Sequence, residues 1–323
     1  MKIVLIKTEG ITPHTIRNKH LEKIRAIHKK LEVVGVSCLN KAEIEKHVAN
    51  ADIIAGVPNV IPPIAKAKNI KWIHSFSAGM DKVLTPEIIK SRIIVSNSSG
   101  IHAVPIAEHV MGIMLIYVRK FYDSFRNQQG KIWSKNQDIT EIRGKTILIV
   151  GLGRIGIEIA RLASCFGANV IAIKRNIKNK PDFIERVYSI NQLENILPYA
   201  DFVILCLPLT PATHHVFNAN KFSKMKKSAV IINIGRGKLI DEKALIEALD
   251  KKLIAGAGLD VTEEEPLPKE SKLWEMENVI ITPHHSGWSE KYMDRAIDLF
   301  CLNLKAHLRG ENLPNLVDKT RGY

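Results

Sequence analysis

Cysteine is scarce in this chain of 323 residues: Cys38, Cys165, Cys206 and Cys301 stand far apart, in no CxxC spacing. That excludes a disulfide framework and argues against a metal site, and reduced thiols suit a cytoplasmic protein. Long apolar runs are missing too. The longest, residues 110–118, falls well short of the ~18 that suggest a membrane span. The N-terminus, MKIVLIKTEG, lacks the extended apolar segment of a signal peptide and reads as a first strand. Internal repeats and low-complexity segments are absent. Despite a formal net charge of +14, there is no basic tail and no nucleic-acid-binding motif. The basic residues are spread over 17–20, 29–30, 178–180 and 224–227. They read as a solvated, lysine-rich surface that attracts small anions rather than nucleic acid.

What is present is the composition of a soluble globular protein, with 46% hydrophobic and 25% charged residues. The length suits two domains. Short apolar runs alternate with amphipathic stretches, the pattern of parallel α/β architecture. In the first third, KIVLI, DIIAG, IKWIHSF and IIVSN read as strands, with helices over 15–31 and 41–48. One long helix is expected over 105–129, with Pro105 in its first turn and Ile106, Val110, Ile113, Met114 and Tyr117 on its apolar face. A polar loop carrying Trp133 follows. Six further strands are expected in TILIVG, NVIAIK, FVILCLP, AVIINIG, AGAGLDV and VIITPH, enough for a doubly wound sheet. A last helix covers 291–308.

TILIVGLGRIGIEIARLASCFGANVIAIKR contains Gly151-x-Gly153-x-x-Gly156 between a strand and a helix, with a second strand after it. A lone GxGxxG is weak, but this context is that of a dinucleotide site rather than a structural turn. Gly151 permits the tight turn, Gly153 lets the backbone approach a pyrophosphate, and Gly156 lets the helix pack close. The helix N-terminus offers free N–H groups to the phosphates. An acidic residue at the end of the second strand would bond the ribose 2′-hydroxyl of NAD. Lys174-Arg175-Asn176 stands there instead, and two cations would attract a 2′-phosphate. NADP(H) is therefore the expected coenzyme, with NAD(H) possible; the competing reading of Lys174 and Arg175 is plain surface charge.

Further motifs fall at the ends of later strands, where open α/β sheets bind ligands. NIGRGKLID places Arg236 between two glycines, GLDVTEEEP brings Asp260 and Glu265, and ITPHHSGW brings His284. The order GLGRIG, LPLTPATHH, NIGRGKLID, GLDVTEEEPLP, NVIITPHHSGW resembles the D-isomer-specific 2-hydroxyacid dehydrogenase family over essentially the full length. That resemblance implies two Rossmann-like doubly wound domains. A dinucleotide-binding domain, 102–287, is inserted into a flavodoxin-like substrate domain formed by 1–101 and 288–323.

It also implies hydride transfer between NAD(P)H and a 2-oxo or D-2-hydroxy acid, with Arg236, Glu265 and His284 catalytic. The chemistry asks for these types. Histidine titrates near neutral pH and can give the carbonyl oxygen its proton. Glutamate would hold the ring and favour its charged form. Arginine can grip a carboxylate and polarise the carbonyl. Glu263, Glu264 and His285 are the neighbours that could be confused with these residues.

The same resemblance puts Gly151, Gly153, Arg154, Ile155, Gly156, Lys174, Arg175, Leu207, Pro208, Thr213, Ile234 and Asp260 on the coenzyme. In FSAGMD, backbone N–H groups of Ser77, Ala78 and Gly79 would take the substrate carboxylate. No metal is implied. A homodimer through the coenzyme domain is expected, as is an active-site cleft. The lack of an added C-terminal domain speaks against a serine-regulated phosphoglycerate dehydrogenase, and Glu265 speaks against a formate dehydrogenase. The alternative from another class is a coenzyme-sensing, corepressor-like binding protein on the same scaffold.

Overall fold

The computed structural model describes residues 1–8, 10, 12–62, 69–80, 82–135, 138–175 and 180–322. Asn176, Lys178 and Asp81 of the motifs above lie outside them. The chain divides into two compact units, Met1–His102 with Trp288–Tyr323, and Ala103–Gly287.

The first unit holds β1 (Lys2–Lys7), β2 (Glu32–Ser37), β3 (Ile53–Gly56), β4 (Trp72–Ser75) and β5 (Ile94–Asn97). They form one parallel sheet in the order β2-β1-β3-β4-β5. Successive side chains of a strand point to opposite faces, and here both faces are buried. Ile3, Leu5, Ile53 and Trp72 pack with Leu21 and Ile24 of α1 (Asn18–Arg25) and with Phe300 and Leu304 of α10 (Tyr292–Leu308). Val4, Ile6, Ile54 and Ile73 pack on the other face with α2 (Lys41–Val48) and α3 (Pro86–Lys90).

Strand β2 departs from the sequence reading, which passed over EVVGVS. It is an edge strand of mixed burial, so neither the run nor the alternation is clean. Helix α1 is also shorter than the expected 15–31.

The second unit opens with α4 (Ala103–Arg119) and α5 (Phe121–Gln129). The single long helix expected over 105–129 is broken at Lys120, which sits in left-handed backbone at φ 54°. No proline or glycine marks that break. Burial explains it: α4 buries Val110, Ile113, Met114 and Val118 in the core, while α5 buries nothing.

Seven parallel strands follow, one more than expected. They are β6 (Thr146–Val150), β7 (Asn169–Ile173), β8 (Arg186–Tyr188), β9 (Phe202–Leu205), β10 (Val230–Asn233), β11 (Gly256–Leu259) and β12 (Val279–Ile281). Their order is β12-β11-β10-β9-β6-β7-β8. The additional β8 is a three-residue edge strand, too short to carry a periodic signal. Helices α6 (Arg154–Cys165), α7 (Leu193–Ile196), α8 (Ala219–Lys224) and α9 (Glu242–Asp250) connect the strands.

Glycines let α4 lie close on β11. A Cβ on Gly258 would stand 2.7 Å from Ile113, and one on Gly256 would stand 2.6 Å from the Tyr117 ring. The Tyr117 hydroxyl reaches the carbonyls of Ala257 and Asn278 at 2.8 and 2.9 Å. The strand order reverses between β6 and β9, and a crevice at the carboxyl ends of those strands is where such sheets hold ligands.

Candidate active site

The glycine turn joins β6 to α6 at this reversal point. Gly151 has φ +109°, and a Cβ there would stand 2.8 Å from the Cys206 carbonyl at the end of β9. Only glycine combines that dihedral with that approach. A Cβ on Gly156 would stand 2.3 Å from the Gly151 carbonyl oxygen, so this glycine sets the helix against the turn. Gly153 differs from both, since a Cβ there would meet nothing within 4 Å. Its open face is room for a ligand rather than a packing need.

Gly153 is also the N-cap of α6 and supplies no side-chain cap, so the first turn of the helix, Arg154, Ile155 and Gly156, is the end that turns backbone N–H groups toward an anion. This cradle fits the diphosphate of a dinucleotide. Lys174 and Arg175 follow β7 directly, Lys174 half-buried and Arg175 exposed.

Across the reversal point, Leu207 and Pro208 leave β9. Thr213 ties that loop together, its hydroxyl donating to the Pro208 carbonyl at 2.7 Å and accepting from the Thr210 amide at 2.8 Å. Ile234 is buried at the end of β10.

Arg236 sits on a turn shaped by a residue that the sequence reading passed over. The fully buried Asn233 accepts from the Gly235 amide at 3.1 Å and donates to the Arg236 carbonyl at 2.9 Å. A polar residue closing the apolar strand AVIIN was the available signal. The Arg236 guanidinium donates to the Gly235 carbonyl at 2.7 Å. A Cβ on Gly237 would stand 1.8 Å from the Thr262 carbonyl oxygen. The arginine turn therefore lies backbone against backbone on the turn that leads to Glu265.

The structure brings Glu265 and His284 together. Glu265 Oε2 lies 2.7 Å from His284 Nδ1, and both side chains are partly exposed. His284 has φ +50°, an uncommon conformation for a non-glycine residue. Its amide donates to the Asp260 and Thr282 carbonyls, both at 2.9 Å, which holds it there. His285 points elsewhere: its ring meets His109 edge to face at 5.8 Å. Glu263 is engaged with His215 at 2.8 Å and with the Glu242 amide at 3.1 Å.

Asp260, which the resemblance puts on the coenzyme, makes a set of bonds within its own unit. It is buried, and its carboxylate accepts from the Thr282 hydroxyl at 2.7 Å, the His285 amide at 3.0 Å, and both the amide and the hydroxyl of Ser286. It is the anchor of the turn that displays His284. Thr282 and Ser286 were not singled out in the sequence, since small hydroxyl residues in a loop carry no pattern of their own. His109 Nε2 lies 3.2 Å from Thr282. Burial pushes the His109 imidazole below its usual value, opposed by the charge of Asp260.

In the first unit, Ser77, Ala78 and Gly79 form the half-buried loop after β4. Among the described residues no group of His, Cys, Asp and Glu could hold a metal ion, and no helix is long and apolar enough to cross a membrane.

A seven-stranded parallel sheet with a glycine cradle at its reversal point defines the class of dinucleotide-binding α/β proteins. Comparison with known proteins narrows the class. The D-isomer specific 2-hydroxyacid dehydrogenase, NAD binding domain, matches residues 111–286. Glyoxylate/hydroxypyruvate reductase B of Escherichia fergusonii is 33% identical over 305 residues, covering 91% of this chain and 94% of that protein. D-3-phosphoglycerate dehydrogenase of Methanocaldococcus jannaschii is 33% identical over 313 residues, 94% of this chain, which spans only 60% of that protein's length. Among solved structures, the NADPH-dependent glyoxylate/hydroxypyruvate reductase of Sinorhizobium meliloti, in complex with NADP and sulfate, superposes with a TM-score of 0.83 at 27% identity over 100% of both chains. The chain belongs to the D-isomer specific 2-hydroxyacid dehydrogenase family, and its coenzyme is a nicotinamide dinucleotide.

Proposed function

We propose that this protein is an NADPH-preferring reductase of small 2-oxo acids such as glyoxylate or hydroxypyruvate, working as a homodimer. The observation that carries the chemistry is the His284–Glu265 pair at 2.7 Å, displayed on the turn that Asp260 anchors. When bound, the reduced coenzyme supplies the hydride. His284 gives its proton to the substrate's carbonyl oxygen, so that with the hydride at carbon and the proton at oxygen the carbonyl becomes an alcohol and His284 is left neutral. Glu265, bonded to Nδ1, leaves Nε2 as the proton-transferring atom and steadies the imidazolium. Arg236 takes the substrate carboxylate and polarises the carbonyl. Of the loop amides expected to bind a substrate carboxylate, those of Ala78 and Gly79 are the donors, while the Ser77 amide already donates to the Ser75 hydroxyl at 3.3 Å.

The NADPH preference rests on Lys174 and Arg175, two cations where a carboxylate would serve NADH. The Sinorhizobium meliloti reductase binds NADP, which supports the same reading. Exposed Phe121, Phe125, Ile132 and Trp133, the last 95% accessible, are apolar surface suited to a second copy of the chain.

Following NADPH oxidation spectrophotometrically with a panel of 2-oxo acids tests the proposal. Turnover of at least one acid, lost in His284→Ala, is the expected result. An inactive wild-type protein, or a His284→Ala variant with near-normal turnover, overturns it.

A further inference from the structure

The loop after β4 is gripped from behind through four successive carbonyls. Ser75 O accepts from the Ser98 hydroxyl at 3.1 Å, and Phe76 O accepts from the Tyr292 hydroxyl at 2.6 Å. Ser77 O accepts from the Ser98 amide at 3.0 Å, and Ala78 O accepts from the Asn97 side-chain amide at 3.1 Å. All these donors belong to the same unit as the loop.

A trans peptide sets its C=O and the following N–H in opposite directions. Fixing the carbonyls of Ser77 and Ala78 therefore turns the N–H groups of Ala78 and Gly79 to the other side. Among the described residues, neither of these amides has a hydrogen-bond partner. Two adjacent donors are thus aimed the same way by bonds made to their backs, an arrangement suited to a carboxylate.

The side chains that grip the loop are themselves held. Tyr292 and Asn97 are both buried. The single Tyr292 proton goes to Phe76 O, so His102 Nε2–H donates to the phenol oxygen at 2.9 Å. The Tyr292 ring also meets His14 edge to face at 4.5 Å. Asn97 Oδ1 accepts from the Ser99 amide at 3.0 Å, which fixes its amide the right way round to donate to Ala78.

We infer that Asn97 and Tyr292 are positioning residues for the substrate carboxylate: Asn97 aims the Gly79 amide through the Ala78 carbonyl, and Tyr292 fixes the base of the loop through the Phe76 carbonyl, whose peptide carries the Ser77 amide. This rests on the carboxylate reading of the loop given above. Neither residue touches substrate. Their effect is on a contact made equally to substrate and transition state, so it falls on KM.

Tyr292→Phe removes one oxygen and keeps the ring, while Asn97→Ala removes the Ala78 donor. With glyoxylate as the probe, each raises KM about tenfold, leaves kcat within about twofold, and leaves NADPH binding unchanged. The rise is the same for a longer 2-oxo acid, because the carboxylate is common to both. A general structural loss would instead lower kcat and weaken NADPH binding, and would overturn the inference.

Ala78→Pro, or Gly79→Pro if the first does not fold, removes a loop amide outright and tests the carboxylate reading separately. If the proline variant raises KM while Tyr292→Phe and Asn97→Ala do not, the positioning role fails and the reading stands. If the proline variant leaves KM unchanged, the carboxylate reading fails and takes the positioning role with it.

Discussion

The Nδ1 atom of His284 lies 2.7 Å from Oε2 of Glu265, and the histidine holds that position in left-handed backbone at φ +50°. The pair joins two turns at the ends of neighbouring strands β11 and β12, so its geometry depends on sheet register rather than on sequence spacing. Replacing Glu265 with Gln keeps the shape and removes the charge that steadies the imidazolium. We expect kcat for 2-oxo acid reduction to fall about 100-fold, with coenzyme affinity unchanged. Steady-state kinetics beside NADPH titration of the protein's fluorescence checks this; unaltered kcat would remove Glu265 from the mechanism.

The glycines of the turn should separate by experiment. Gly151→Ala forces a Cβ to 2.8 Å from Cys206 backbone at a dihedral that L residues avoid. It should cost roughly 2 kcal/mol or more of stability. Gly153→Ala adds its methyl to open space, so the melting temperature should hold while KM for NADPH rises. Equal stability losses in the two variants would contradict the assignment of Gly153 to ligand approach.

Coenzyme choice should follow charge. Lys174→Ala combined with Arg175→Ala removes the cations offered to a 2′-phosphate. Each charge-assisted contact is worth about tenfold, so kcat/KM with NADPH should drop up to about 100-fold while the value with NADH changes little. If the wild-type protein uses NADH as well as NADPH, the preference is absent from the start.

Asp260→Asn tests the anchor of the histidine turn. The new amide nitrogen would face donors from His285, Ser286 or Thr282 that now point at a carboxylate. An unmatched buried donor costs about 1–3 kcal/mol. Thermal unfolding should register that loss, and activity should fall with it because His284 loses its support. Ser286→Ala, which removes one donor and keeps the carboxylate, should be milder.

Acid sensitivity follows from His74. It is fully buried in a chain of bonds running from Trp72 Nε1 through Ser96, the imidazole and Ser98 to the Ser75 carbonyl. Burial pushes it from 6.5 down to about 3. The unfolded chain therefore takes up a proton near 6.5 and the folded one only near 3. Stability is full above 6.5 and is lost as pH falls, by about 1.4 kcal/mol per unit from this one group. Denaturant melts at pH 7 and pH 5 should differ by about 2 kcal/mol on its account. His74→Gln should flatten that slope by about one proton, and an unchanged slope would refute the assignment.

The sequence by itself determined the parallel α/β class, the place of the glycine turn, and the residue types at the strand ends. Those depend on local rules: apolar run length, helical period, and the dihedral freedom of glycine. Only the tertiary structure decided that the ring of His284 meets Glu265 while the ring of its neighbour His285 turns to His109. It also showed that Asp260 spends its carboxylate on Thr282, His285 and Ser286. These outcomes depend on which strand ends lie side by side and on where each turn's amides point, and chain spacing encodes neither. Edge strands β2 and β8 and the break at Lys120 escaped the sequence reading for a related reason. An edge strand is set by its one neighbour, and α4 stops where its buried face runs out, so the cause lies in the packing partner rather than in the segment.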